Sequence, residues 1–380
     1  MILFDQGPAR HPLLFAKRQA LVVAWEPAEV ASAFAAMAQA RADGRWLAGY
    51  ASYELGYALE PKLAALMPGN RRVPLLAFEV HGAPVDAAPM LEQAEAEADG
   101  ASLGPLRPDW TVEQYRAAFD RVAAYIGSGD CYQVNLTLPI RARATGTALG
   151  LYGALRRVQP VRHGAFADLG VGPVILSRSP ELFFRLSSDG RIETWPMKGT
   201  ARRDPVPERD AELKAALAVS AKDRAENLMI VDLLRNDISR LSEVGSVRVP
   251  ELFRVETYAT VHQMISRVIG QLLAPLDIEA LFRALFPCGS ITGAPKIRAM
   301  EIIRALEQEP RGPYCGAMGW IAPDGTAQFN VAIRTLSLFA GGHGTAWDVV
   351  MNVGGGVVHD STAEAEYEEA LWKSRFAHLP

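Results

Sequence analysis

Several features that would place a chain in a specialised class are scarce here. There are 3 cysteines, Cys131, Cys288 and Cys315, odd in number and scattered along the sequence. They form no Cys-x-x-Cys pair, which argues against a zinc site and a disulfide framework and fits a reduced, cytoplasmic setting. No run of about 18 apolar residues occurs, so no membrane-spanning helix and no membrane partner are expected. The N-terminus lacks a basic stretch followed by an apolar run, so no signal peptide is expected. The formal net charge is only −4, with no basic stripe to suggest a nucleic-acid partner.

What remains is ordinary globular composition, with 49% hydrophobic and 22% charged residues in a chain of 380. That length allows two average domains or one large one. Residues 28–41 read as an Ala-rich helix, and 46–54 and 74–80 as strands. Between Gly82 and Pro108 the sequence turns to Ala, Pro, Gly and acidic residues, which predicts a linker or an exposed excursion. Thr111 with Gln114 forms a capping box, opening a helix whose apolar stripe includes Tyr115, Phe119, Val122 and Ile126. A strand over 131–138 follows. Its alternation puts Gln133, Asn135 and Thr137 on one face, which either lines a cleft or is half exposed.

Residues 174–184 and 193–203 read as two strands joined by the turn Ser187-Ser188-Asp189-Gly190. In such a hairpin Glu181 and Lys198 sit towards the open end. A carboxyl and an amine brought together there supply an acid and a nucleophile, or form only a surface ion pair.

Acidic residues recur at helical spacing. Asp223 and Glu226 share a face of a helix over 221–237, and Glu366 and Glu369 share a face near the C-terminus, with Lys373 a turn further on. Brought together, these carboxylates suit Mg²⁺, which takes one or two protein carboxylates and keeps several waters. The alternative is two solvated acidic faces. The apolar run Leu228-Met229-Ile230-Val231 behind Glu226 favours the site.

The segment 286–296 is rich in small residues, and Pro295 leads into a helix over 296–306, a turn suited to binding an anion. Three strands, 314–321, 328–338 and 345–352, close the chain. In the second, Gln328, Asn330, Ala332 and Arg334 share a face, so Arg334 points into solvent or into a polar cleft, where it would pair with a carboxylate. Gly354-Gly355-Gly356 allows a close backbone approach to a ligand.

The segments 132–137, 179–183, 196–200, 226–237, 289–296 and 354–373 together resemble the chorismate-utilising enzymes, the family of the anthranilate synthase and aminodeoxychorismate synthase large components. The resemblance is close over residues 110–377 and looser around 49–60. It implies an α+β fold of two orthogonally packed, mainly antiparallel sheets flanked by helices. Residues 1–107 would add strands to the same core, and 108–380 would form the chorismate-binding catalytic region. Pro196-Met197-Lys198-Gly199-Thr200 resembles the branch that aminates chorismate at C4. The anthranilate branch typically has Ala at the position of Lys198, and the water-activating members usually place a Lys base at the position of Gln133.

By that resemblance Lys198 attacks C2 of chorismate, Glu181 acts as general acid on the departing C4 hydroxyl, and ammonia then resolves the adduct at C4. Tyr314, Arg334 and the backbone at Gly293 and Ala294 would hold one substrate carboxylate. Mg²⁺, bound by Glu226 and Glu369 with Glu366 and Asp223 close by, would hold the other. Gln133, Thr200, Gly354, Gly356 and Lys373 would complete the pocket, with His262 near the ring. The family also implies a separate glutamine amidotransferase subunit as the ammonia source and a separate pyridoxal-phosphate lyase downstream. Thr362 stands where the family often has Pro, and no segment resembles the tryptophan-binding one. The competing readings are an anthranilate synthase component I and an inactive chorismate-binding regulatory subunit.

Overall fold

The computed structural model describes residues 1–8, 11–258, 261–275, 277–341 and 345–379. Among the described residues the strands form two antiparallel sheets, one of eleven strands and one of ten, flanked by helices. Apolar side chains of both sheets, Leu136 and Leu338 from the first and Phe184 and Phe329 from the second, belong to one buried cluster. The longest ladder of the first sheet joins Gln133–Thr145 to Ala346–Val357, in register from Val134↔Val357 to Thr145↔Ala346. The N-terminal segment serves both sheets. Ile2–Phe4 pairs with His163–Ala167 in the first, and Trp46–Ala51 pairs with Ala317–Ile321 in the second.

The stretch 82–108 is more regular than its composition predicts. Ala88–Glu97 is a helix, and Ser102–Leu103 and Arg107–Pro108 pair with Gln133–Thr145. Ala and Glu are strong helix formers, and the inward side needs only Leu91 and Ala94. A face that small leaves little periodicity to read. It docks on the helix Ala148–Val158 so closely that a Cβ at Gly153 would lie 2.0 Å from the Ala94 carbonyl oxygen.

Two expected strands each divide between the sheets. Val174–Ser179 lies in the first sheet and Leu182–Leu186 in the second. Pro180, which has no N–H to offer a ladder, stands at the break. Ala327–Val331 lies in the second sheet and Thr335–Ala340 in the first. Here Arg334 takes φ 50°, so the alternation read along 328–338 stops short of it.

The turn at 187–190 does close a hairpin, but its arms are only Leu182–Leu186 and Arg191–Thr194. Met197–Arg202 pairs instead with Val261–Gln271, and its register shifts between Met197 and Thr200. A shift of this kind re-aims the side chains inside it, and Lys198 lies inside it. Gly199 has φ 87°, and a Cβ there would come 2.9 Å from Cβ of Asp223.

Candidate active site

One cleft of about 680 Å³ gathers most of the residues singled out in the sequence. Glu181, Lys198, Thr200, Tyr314, Arg334, Gly354, Gly356 and Lys373 line it, together with the acidic group Asp223, Glu226, Glu366 and Glu369. They arrive from separate elements: the two sheet crossings, the bulged strand Met197–Arg202, the helices Ala221–Ser239 and Ala363–Lys373, and the strand Ala346–Val357.

Glu181 is buried, and its Oε1 accepts a hydrogen bond from the Ser290 hydroxyl at 2.8 Å. Burial pushes its pKa up to about 7, against the opposing pull of Ser290, Lys198 and Arg334. A carboxyl group held there is partly protonated at neutral pH, as a general acid must be. Lys198 keeps some surface open to the cleft, yet the protein around its amine pushes its pKa down, with the Lys373 ammonium adding to the effect. Glu226, Glu181 and Glu369 pull the other way. A lysine with a depressed pKa is a competent nucleophile.

Gly356 makes room for this amine. A Cβ there would lie 2.9 Å from both Nζ of Lys198 and Cδ of Gln133. Gln133 is completely buried, and neither its Oε1 nor its Nε2 has a hydrogen-bond partner among the described residues. An unsatisfied buried amide is costly and calls for a partner. Gln133 therefore stands near the amine with neither amide atom satisfied by the protein.

The acidic residues face one another across the cleft. Burial raises the pKa of Glu226, with Asp223 and Glu366 adding to it. Burial likewise raises Glu366, and Glu369 contributes. Burial also acts to raise Glu369, but Lys373, 2.7 Å away, together with Lys198 and Lys222 leaves the net shift downward. Lys373 also donates to the Gly354 carbonyl at 2.9 Å. Among the described residues no three Asp, Glu, His or Cys side chains converge as a ready-made metal cage. Carboxylate oxygens are the donor type that Mg²⁺ takes.

Four of the expected residues do not line the cleft: Gln133, fully buried near Lys198, and His262, Gly293 and Ala294. His262 is buried behind the cleft, with Nε2 2.9 Å from Asp210 and Nδ1 3.0 Å from the Thr257 hydroxyl, so both nitrogens are committed. Gly293 and Ala294 form a short strand against Val134 and Gln133 and do not line the cleft. The carbonyls on either side of that turn are used internally, Thr292 by the Asn135 N–H and Ala294 by the Tyr132 N–H. What the turn presents to the cleft is Ser290 and Ile291. Ser290 lies within a segment read as an anion-binding turn, and nothing local in the sequence marks its bond to a carboxylate 109 residues away. Asn135, expected on a polar strand face, does line the cleft.

Two antiparallel sheets with an acid, an amine and acidic helices around one cleft suit an enzyme, and residues 2–378 match the family described as chorismate binding enzyme. The chain belongs to that family. It is 46% identical over 272 residues to aminodeoxychorismate synthase component 1 of Escherichia coli (strain K12), covering 70% of this chain and 58% of the relative. It is 38% identical over 299 residues to anthranilate synthase component 1 1 of Haloarcula marismortui, covering 79% of this chain and 59% of the relative. The chain thus spans under two thirds of the length of these curated relatives. Among solved structures, anthranilate synthase component I from Streptococcus pneumoniae TIGR4 superposes with a TM-score of 0.73 at 27% identity, over 88% of this chain and 81% of that one.

Proposed function

We propose that this chain is the large component of an aminodeoxychorismate synthase and converts chorismate and ammonia to 4-amino-4-deoxychorismate. The observation that carries this reading is Lys198. An amine with a lowered pKa stands in the same cleft as a carboxyl group poised near neutrality. The high identity to relatives named for this reaction supports it.

In the proposed sequence the neutral Lys198 amine forms a C–N bond at C2 while the C4–O bond breaks, and Glu181 gives its proton to the hydroxyl, which leaves as water. Glu181 is then a carboxylate, and the bound lysine nitrogen a secondary ammonium. Ammonia adds at C4, the lysine leaves C2 as a neutral amine, and the new C4 substituent carries the positive charge. Solvent reprotonates Glu181. The two groups must hold opposite states from those they adopt in free water, and burial pushes both in the required direction.

Arg334 and Tyr314, both lining the cleft, would hold one substrate carboxylate, since a guanidinium is suited to bidentate pairing with it. Glu226 and Glu369, with Glu366 and Asp223 beside them, would hold Mg²⁺. Bound there, the ion would neutralise the second carboxylate. Gln133 offers an amide beside Lys198, and neither water nor ammonia would be activated by it as by a lysine. The ammonia would come from a glutamine amidotransferase subunit, and a pyridoxal-phosphate lyase would release 4-aminobenzoate from the product. Among the described residues no helix is long and apolar enough to cross a membrane, and three buried, unpaired cysteines support a cytoplasmic setting.

The purified chain, incubated with chorismate, Mg²⁺ and an ammonium salt at mildly alkaline pH, tests this. Formation of aminodeoxychorismate, converted to 4-aminobenzoate when the lyase is added, is the expected result. Fluorescent anthranilate with pyruvate would instead place the chain in the C2-aminating branch.

A further inference from the structure

Beneath the cleft floor lies a charged group that the proposed chemistry does not use. Arg311 is buried, and its guanidinium forms a two-pronged pair with Glu307, through Nε at 2.8 Å and Nη2 at 2.7 Å. Its remaining donors go to backbone carbonyls, Nη1 to Ile291 at 3.0 Å and Nη2 to Asn135 at 2.6 Å. Glu307 in turn accepts from the Thr137 N–H at 2.9 Å. The N-terminal segment braces the same point. Glu54 accepts from the backbone N–H of Arg311 at 2.7 Å and of Gly312 at 3.0 Å, and the Tyr53 ring lies 4.5 Å under the guanidinium.

The two carbonyls that Arg311 holds belong to the two pieces of the floor. Ile291 follows Ser290, the hydroxyl donor to Glu181. Asn135 lines the cleft on the strand that also carries Gln133. One guanidinium therefore ties the partner of the acid to the strand beside the amine. A planar cation with fixed donors is suited to this cross-brace, and a lysine cannot reproduce four directed bonds.

We infer that Arg311 is a positioning residue: it fixes the Gly289–Ile291 turn against the Gln133–Thr145 strand, and so sets the Ser290–Glu181 contact. This inference rests on the proposed role of Glu181 as the acid. The charged groups facing Glu181 are Lys198 and Arg334, with the Cys288 and Cys315 thiols nearby. Those facing Arg311 are Glu307 and Glu54, with Tyr53, Tyr57, Tyr314 and Cys315 around them. The Ser290 bond favours the ionised form of Glu181, so loosening it shifts the alkaline fall of turnover to higher pH.

The test is a double-mutant cycle on the full chain with Arg311→Lys and Ser290→Ala, following kcat and KM for chorismate across pH. Each single variant is expected to lower kcat, Arg311→Lys by on the order of 10²-fold, with KM changed by less than about threefold. Each moves the alkaline limb upward. The double variant should lose little beyond the worse single variant, because both changes break one chain of contacts. If Arg311→Lys does not fold, Glu307→Gln, which keeps the arginine but removes its carboxylate, takes its place in the same cycle. An unshifted limb, or losses that simply multiply, would overturn the inference. A wild-type chain that makes no aminodeoxychorismate would instead remove the reading on which it rests.

Discussion

Glu181 and Arg334 stand at the two points where the chain leaves one sheet for the other, and the two crossings are stitched together. The Glu181 carbonyl accepts from the Val331 N–H at 3.1 Å, and the Arg334 carbonyl accepts from the Arg178 N–H at 2.9 Å. Strands that pair within each sheet thus change sheet side by side. Their side chains at the crossing belong to neither apolar face, so a carboxyl group and a guanidinium can be held together at the edge of a large core. That placement gives the cleft an acid whose pKa burial raises and a cation beside it.

Glu181→Gln keeps the shape and the Ser290 contact but removes the proton. Turnover is expected to fall by about 10²- to 10⁴-fold, with chorismate binding retained in equilibrium dialysis. Loss of binding to the same degree as turnover would argue against an acid role.

The pH dependence has a definite sign. Glu181 must be protonated and its pKa lies up at about 7, so turnover falls as pH rises through that value. Lys198 must be neutral, so turnover also falls on the acid side. Glu181→Gln should remove the alkaline limb from what activity remains, as read from kcat against pH.

Arg334→Lys keeps the charge but loses the two-pronged geometry. KM for chorismate is expected to rise about tenfold or more, with a smaller change in kcat. An unchanged KM would place the substrate carboxylates elsewhere.

Gly356→Ala puts a methyl group 2.9 Å from the Lys198 amine and from Gln133. The variant is expected to fold with an unchanged circular dichroism spectrum and to lose most of its turnover, because the amine is displaced. Full activity would mean that Lys198 does not act from this position.

For the carboxylates, Glu226→Gln should raise the Mg²⁺ concentration needed for half-maximal chorismate binding by about tenfold or more. Binding, not turnover, is the readout. A Mg²⁺ dependence identical to wild type would remove Glu226 from the metal site.

Much of this was legible in the sequence, for identifiable reasons. Asp223 with Glu226, and Glu366 with Glu369, were readable because helical spacing is local and both pairs do line the cleft. The two sheet crossings are marked only faintly. Residues 174–184 turn polar from Ser177 to Glu181 around Pro180, and along 328–338 the polar residues fall on even positions up to Arg334 and on odd positions from Thr335. The bulge that aims Lys198 is not legible: it appears only in the pairing with Val261–Gln271, far along the chain. His262 looked available because its partners, Asp210 and Thr257, could not be inferred from sequence. The roles of Ser290 and Arg311 are not legible because each depends on a contact more than 100 residues away, to Glu181 and to the Asn135 carbonyl.

The central claim is that Lys198 becomes covalently attached to chorismate, and mass spectrometry tests it most directly. The chain is mixed with chorismate and Mg²⁺ without ammonia, quenched and digested. The account predicts an adduct of chorismate less water on the peptide containing Lys198. It should be absent from Lys198→Ala and discharged to aminodeoxychorismate when ammonium is added before quenching. Product formed at the wild-type rate by Lys198→Ala, with no adduct at any time, would contradict it.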